Sequence, residues 1–118
     1  MSTPVHTVDR DATLEQVRED FARFGISGAP VVTEGHLAGI ISRRDIRRAK
    51  QGGRMQLPVA SCMATTVQTT EPQAPLLRAF EKMVEADIGR LPVVEEGHLV
   101  GIITRSDVLR LLYPEEIK

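Results

Sequence analysis

Two stretches of this sequence place potentially reactive side chains at matching spacing. They are Gly39-Ile40-Ile41-Ser42-Arg43-Arg44-Asp45 and Gly101-Ile102-Ile103-Thr104-Arg105-Ser106-Asp107. In each, an apolar run reads as the end of a strand, and a hydroxyl with a carboxylate three residues on reads as the start of a helix. The first N–H groups of a helix lack partners within it and suit an anionic oxygen. The hydroxyl can donate to a phosphate, and the carboxylate can accept from the two vicinal hydroxyls of a ribose. The glycine lets another group approach the backbone closely. Ser or Thr followed three residues later by an acid is also a helix capping box. Capping and ligand binding compete for the same donors, and taken alone the spacing favours the cap.

The elements that must position these side chains occur twice. Shifting the chain 62 positions along itself aligns residues 26–49 with 88–111, and 14 of those 24 positions are identical without a gap. Upstream, Val5, Thr7 and Leu14 fall on Val67, Thr69 and Leu76. Each copy reads β-α-β-β-α. A short strand lies near Val5–Val8 and again near Val67–Thr70. A helix follows over 14–24 and 76–86, with Thr13 and Gln16 at capping-box spacing. Its apolar positions are Leu14, Val17, Phe21 and Phe24, and in the second copy Leu76, Ala79, Phe80 and Met83; Glu81, Glu85 and Asp87 read as its surface. Hairpins then turn at Thr33-Glu34-Gly35-His36 and Glu96-Gly97-His98. Closing helices span 43–50 and 105–112, ended by Gly52-Gly53 and Pro114. Residues 51–62 form the joint, so the repeats are 1–56 and 57–118. A unit of about 60 residues buries too little surface to be stable alone. The simplest solution buries the apolar faces of the copies together about a pseudo-two-fold axis.

Composition narrows the function classes. The 118 residues are 42% hydrophobic and 26% charged, ordinary values for one globular domain. A net charge of −1 gives no global attraction to nucleic acid or an anionic membrane. Cys62 is the only cysteine, so no intrachain disulfide forms and a reducing, cytoplasmic setting is expected. No apolar run approaches the ~18 residues of a membrane span, and Met1-Ser2-Thr3-Pro4 lacks the apolar core of a signal peptide. No membrane partner is expected.

The motif G-h-h-[S/T]-x-x-D (h, apolar), closing a P-V-V…G-h-h hairpin and present in tandem, resembles the CBS domain. The resemblance covers nearly the whole chain, twice. It implies an α+β fold in which the two repeats pack their sheets together, helices outside, and bind adenosine-containing ligands in the cleft between them. AMP, ADP, ATP or S-adenosylmethionine is the implied regulatory ligand, and no cofactor is required. By resemblance Asp45 and Asp107 hold ribose hydroxyls, and Ser42 and Thr104 touch phosphate, with Arg43 and Arg105 beside them. Ile40 and Ile102, with the backbone at Ser27-Gly28 and Gly89-Arg90, sandwich adenine. Such ligands bias an attached enzyme or partner protein. The segments Asp87–Val94 and Gly101–Arg110 also resemble the CBS pair inside some poly(A)-polymerase-like tRNA nucleotidyltransferases, which implies an attached catalytic domain in a larger chain. A free-standing CBS protein is the competing expectation, favoured if Met1 is a natural start. A homodimer packed through the helices over 14–24 and 76–86 is expected, as oligomerisation module or as sensor.

Two departures predict unequal sites. Met1 aligns on Met63, so the first copy lacks a counterpart of Leu57–Cys62. Arg90 stands where the first copy has Gly28, and resembles the phosphate-contacting arginine of the AMP-sensing kinase γ subunit; a surface salt bridge is the alternative. Other features read as ordinary. Arg43, Arg44, Arg47, Arg48, Lys50 and Arg54 make the first closing helix basic, a solvated face or a contact for a phosphate tail or RNA. No aromatic residues accompany it, which weakens single-strand RNA binding. His36 and His98 occupy equivalent turns without a Cys or acidic set to complete a metal shell. Cys62 has no base near it in sequence. No metal site, no catalytic residues and no enzymatic activity are expected of this segment.

Overall fold

The computed structural model describes residues 6–112. Val5 and Pro114, named above as strand start and helix stop, lie outside them. The first unit, His6–Val67, contains β1 (Val8–Asp9), α1 (Leu14–Phe24), β2 (Gly28–Thr33), β3 (His36–Ser42), α2 (Arg43–Gln51) and a single 3₁₀ turn at Val59–Ser61. The second, from Gln68 onward, contains α3 (Leu76–Ala86), β4 (Arg90–Glu95), β5 (His98–Thr104) and α4 (Arg105–Leu112). The class is α+β, as expected.

Turn chemistry sets the hairpins. Glu34 and Gly35 both adopt positive φ, 50° and 82°, the pattern of a type I′ turn whose twist matches the strands it joins. Glu96 and Gly97 repeat it at 51° and 82°. The antiparallel registers are equivalent, closing at Thr33↔His36 and at Glu95↔His98. Both carry the same irregularity, between Val31 and Val32 and between Val93 and Val94. The opening strands are shorter than the alternation suggests. β1 pairs in parallel with β2 through Val8↔Val31 and Asp9↔Val32, and the second copy keeps only the bridge Thr70↔Val93.

Each unit has its own core, and the two cores follow the 62-residue period. Val17, Phe21, Ala29, Val31, Ile41 and Ile46 are buried in the first, and Ala79, Met83, Leu91, Val93, Ile103 and Val108 in the second. Volume is exchanged within the set. Val17 and Phe21 give way to the smaller Ala79 and Met83, while Ala29 gives way to the larger Leu91, which limits voids in a close-packed interior. Thr70 takes the place of Val8 and is buried, with its hydroxyl oxygen left without a partner. Phe24 departs from the expected apolar set. It is 55% exposed, because it ends α1 just before the chain reverses at Gly25, and its ring lies 4.8 Å from that of His6.

The joint belongs to the first unit by packing. The period divides the chain after residue 56, whereas the compact unit runs through Val67. The carbonyls of Leu57 and Met55 accept from the N–H groups of Leu14 and Glu15, two of the orphan donors at the start of α1, at 3.1 and 3.0 Å. Val59 and Ala60 donate to the carbonyls of Ala12 and Arg10. Ile40 and Ala64 exchange both backbone bonds at 2.9 Å. Gly39 permits this approach: a Cβ there would stand 2.5 Å from the Ala64 carbonyl oxygen and 2.8 Å from the Met63 sulfur. The group that needs the glycine is therefore the chain's own segment. Gly39→Ala should lower stability by about 1–3 kcal/mol, through overpacking against backbone. A urea denaturation midpoint measures it, and an unchanged midpoint would mean that residues 63–64 move aside at no cost.

Candidate functional site

The start of α2 is built by a reciprocal cap. Ser42 Oγ accepts from the Asp45 N–H at 3.2 Å, and Asp45 Oδ2 accepts from both the Ser42 N–H and the Ser42 hydroxyl at 2.9 Å. The capping reading of the S-x-x-D spacing is thus realised. It leaves Asp45 Oδ1 outside the cap and the carboxylate only half-buried. The next residue fastens the helix to its hairpin: the Arg43 N–H donates to the Ser27 carbonyl at 2.9 Å and its guanidinium to the Ile26 carbonyl at 3.2 Å.

A groove opens beside this cap. Its volume is about 470 Å³, within the range of small-molecule sites. Ser27, Ile40, Ser42, Arg43 and Asp45 all line it, so five of the six residues predicted in the first copy come together. Gly28 sits next to them, paired across the hairpin with Ser42. Arg44, Arg48 and Ala64 also line the groove and were not in the predicted set. The two arginines were findable, since both share a helix face with the motif. Ala64 was not, because only the Ile40–Ala64 pairing brings it there.

The second copy repeats the local geometry with different charge. Thr104 N–H donates to Asp107 Oδ2 at 2.9 Å, and Thr104 Oγ1 accepts from the Asp107 N–H at 3.2 Å. Asp107 Oδ1 faces Arg110 at 3.4 Å. The Arg105 backbone donates to the Gly89 carbonyl at 2.9 Å and its guanidinium to the Ile88 carbonyl at 3.3 Å. Arg90 pairs in register with Thr104 and is half-buried, and burial draws its guanidinium below its ordinary pKa. Ile102, next along β5, is nearly buried. Of these predicted residues only Arg105 lines a cavity of about 270 Å³ that lies instead between α3 and α4, with Phe80, Met83, Val84, Asp87 and Leu109. The equivalent groove between α1 and α2, about 380 Å³, has Phe21 and Ile46 at its floor and Arg18, Arg43, Arg47 and Lys50 at its rim.

The residues read as ordinary have plain surroundings. Cys62 packs partly against the first core, 3.7 Å from the Ser61 hydroxyl. His36 and His98 are exposed just after their turns. Among the described residues no cluster of His, Cys, Asp and Glu could hold a metal ion, and no helix is long and apolar enough to cross a membrane.

The tandem geometry agrees with the comparison to known proteins. The CBS domain family model matches residues 1–52 and 59–114. The chain belongs to the CBS domain family. This CBS pair is 34% identical over 110 residues to the CBS domain-containing protein YhcV of Bacillus subtilis, covering 92% of the chain and 79% of that protein. It is 35% identical over 113 residues to the A-adding tRNA nucleotidyltransferase of Geobacter sulfurreducens, covering 96% of the chain but only 13% of that enzyme. Among solved structures, the CBS domain pair of protein MJ0100, in complex with 5'-methylthioadenosine and S-adenosyl-L-methionine, superposes with a TM-score of 0.84 at 27% identity over 98% of this chain and 93% of that one. The tandem-pair reading from sequence therefore stands.

Ser42→Ala should cost about 1 kcal/mol, the usual loss on removing an N-cap hydroxyl. The shift in the guanidinium midpoint without ligand measures it. A shift near zero would show that the Asp45 side chain caps α2 by itself.

Proposed function

We propose that this CBS pair is a regulatory module that binds an adenosine-containing ligand and modulates an attached or partner protein. The carrying observation is the first-unit groove, lined by Ile40, Ser42 and Asp45 at a helix start, with one Asp45 oxygen left outside the cap. In this reading adenine stacks at Ile40 against the backbone of Ser27 and Gly28, Asp45 takes the ribose hydroxyls, and Ser42 and Arg43 lie toward phosphate. The second site uses Ile102, Gly89, Arg90, Thr104, Arg105 and Asp107 in the same roles. Arg90, absent from the first copy, makes the sites unequal. The adenosine ligands of the MJ0100 pair support this ligand class. AMP, ADP, ATP and S-adenosylmethionine are the candidates. The module needs no cofactor, does no catalysis and acts in the cytoplasm.

Likeness to tRNA nucleotidyltransferases supports a catalytic domain in a longer chain as the regulated partner, with the exposed arginines of α2 toward that domain or its RNA. Likeness to YhcV over most of that protein's length supports a module that acts on a separate partner. A homodimer through the helices is part of the proposal. It is favoured by Leu77, Val84 and Leu109, apolar side chains that are 67%, 61% and 40% exposed on α3 and α4. Scaffolding without nucleotide is the second reading, because the caps satisfy the hydroxyls without a ligand.

Isothermal titration with AMP, ADP, ATP and S-adenosylmethionine should give saturable heat with at least one. Asp45→Ala and Asp107→Ala should each weaken one site by about 1–3 kcal/mol. No heat with any of them up to the order of millimolar would leave only the scaffold. Sedimentation without ligand should give a dimer at all accessible concentrations; a monomer would exclude the helix-face association.

A further inference from the structure

Resting on the nucleotide reading of the first groove, we propose that this groove selects adenosine ligands with two or more phosphates, and that Arg44 and Arg48 are the residues that recognise the added charge. They stand one helical turn apart on α2, both exposed and both lining the groove. Like charges at this spacing repel and weaken a helix. Among the described residues neither forms an ion pair. Asp45 is the sole acid of α2, set against Arg43, Arg44, Arg47, Arg48 and Lys50, and its Oδ2 is taken by Ser42. Arg43 is committed to the Ile26 carbonyl. Two guanidinium groups therefore line the groove without an ion pair to any acid among the described residues.

The second copy is the internal control. The counterpart of Arg44 is Ser106, and the counterpart of Arg48 is Arg110, which pairs with Asp107. What it has instead is Arg90, a single half-buried cation on the strand side. A chain of phosphates entering the groove at the first turn of α2 and running along the helix meets Arg44 first and Arg48 a turn later, each with a planar fork that matches two phosphate oxygens. The charge difference between α2 and α4 thus restricts the polyphosphate assignment to the first groove.

Titration calorimetry of the full chain with adenosine, AMP, ADP and ATP, at low and high salt, tests this. ADP and ATP should bind the first site about tenfold tighter than AMP, with the advantage shrinking as salt screens the exposed charges. Arg44→Ser, which installs the second copy's residue, and Arg48→Ala should each cost ATP about fivefold and change adenosine binding by less than about twofold. Retained adenosine binding also reports that each variant is folded. ATP binding no tighter than AMP, or losses equal for ATP and adenosine, would overturn the polyphosphate assignment and leave the nucleotide reading standing. Absence of any adenine ligand on the wild-type chain would overturn both.

Discussion

At the β3–α2 junction Ser42 gives both its N–H and its hydroxyl to one oxygen of Asp45, and Asp45 returns its own N–H to the Ser42 oxygen. This closed exchange fixes where the strand ends and the helix begins. It aims the first turn of α2 into the groove and holds the second carboxylate oxygen clear of the cap. Arg43 ties the same turn to the carbonyls of Ser27 and Ile26, so the hairpin and the helix cannot shift independently. Capping takes one oxygen of the Asp45 carboxylate and leaves the other, so the cap does not by itself exclude the proposed ligand contact.

The duplication supplies a second comparison inside the same molecule. Six core positions keep the 62-residue period and exchange volume among themselves, so the scaffold around each junction is kept while its surface is free to change. The change is electrostatic. α2 carries Arg44 and Arg48, without ion pairs among the described residues, α4 pairs its one late arginine with the motif aspartate, and β4 gains Arg90.

The joint connects the groove to the rest of the chain. Ala64 exchanges backbone bonds with Ile40 and also lines the groove, and the chain runs from there to the second unit. Upstream, Leu57 and Met55 complete the start of α1.

Local physics was readable in the sequence because it acts over a few residues. The helix bounds, the Glu-Gly turns, the S-x-x-D caps and the tandem order follow from periodicity, positive-φ turn chemistry and side chains that reach three positions along the chain. Five of the eight residues that line the first-copy groove were named from the sequence, Ser42 and Asp45 from the motif spacing and Ser27, Ile40 and Arg43 from the family resemblance. The shortness of the opening strands, the exposure of Phe24 and the place of the joint depended on contacts remote in sequence. Gly39 looked like room for a ligand, and only the fold put Met63 and Ala64 there. The joint packs on the first compact unit, which runs through Val67, because it supplies partners for backbone donors at the start of α1 and on β3.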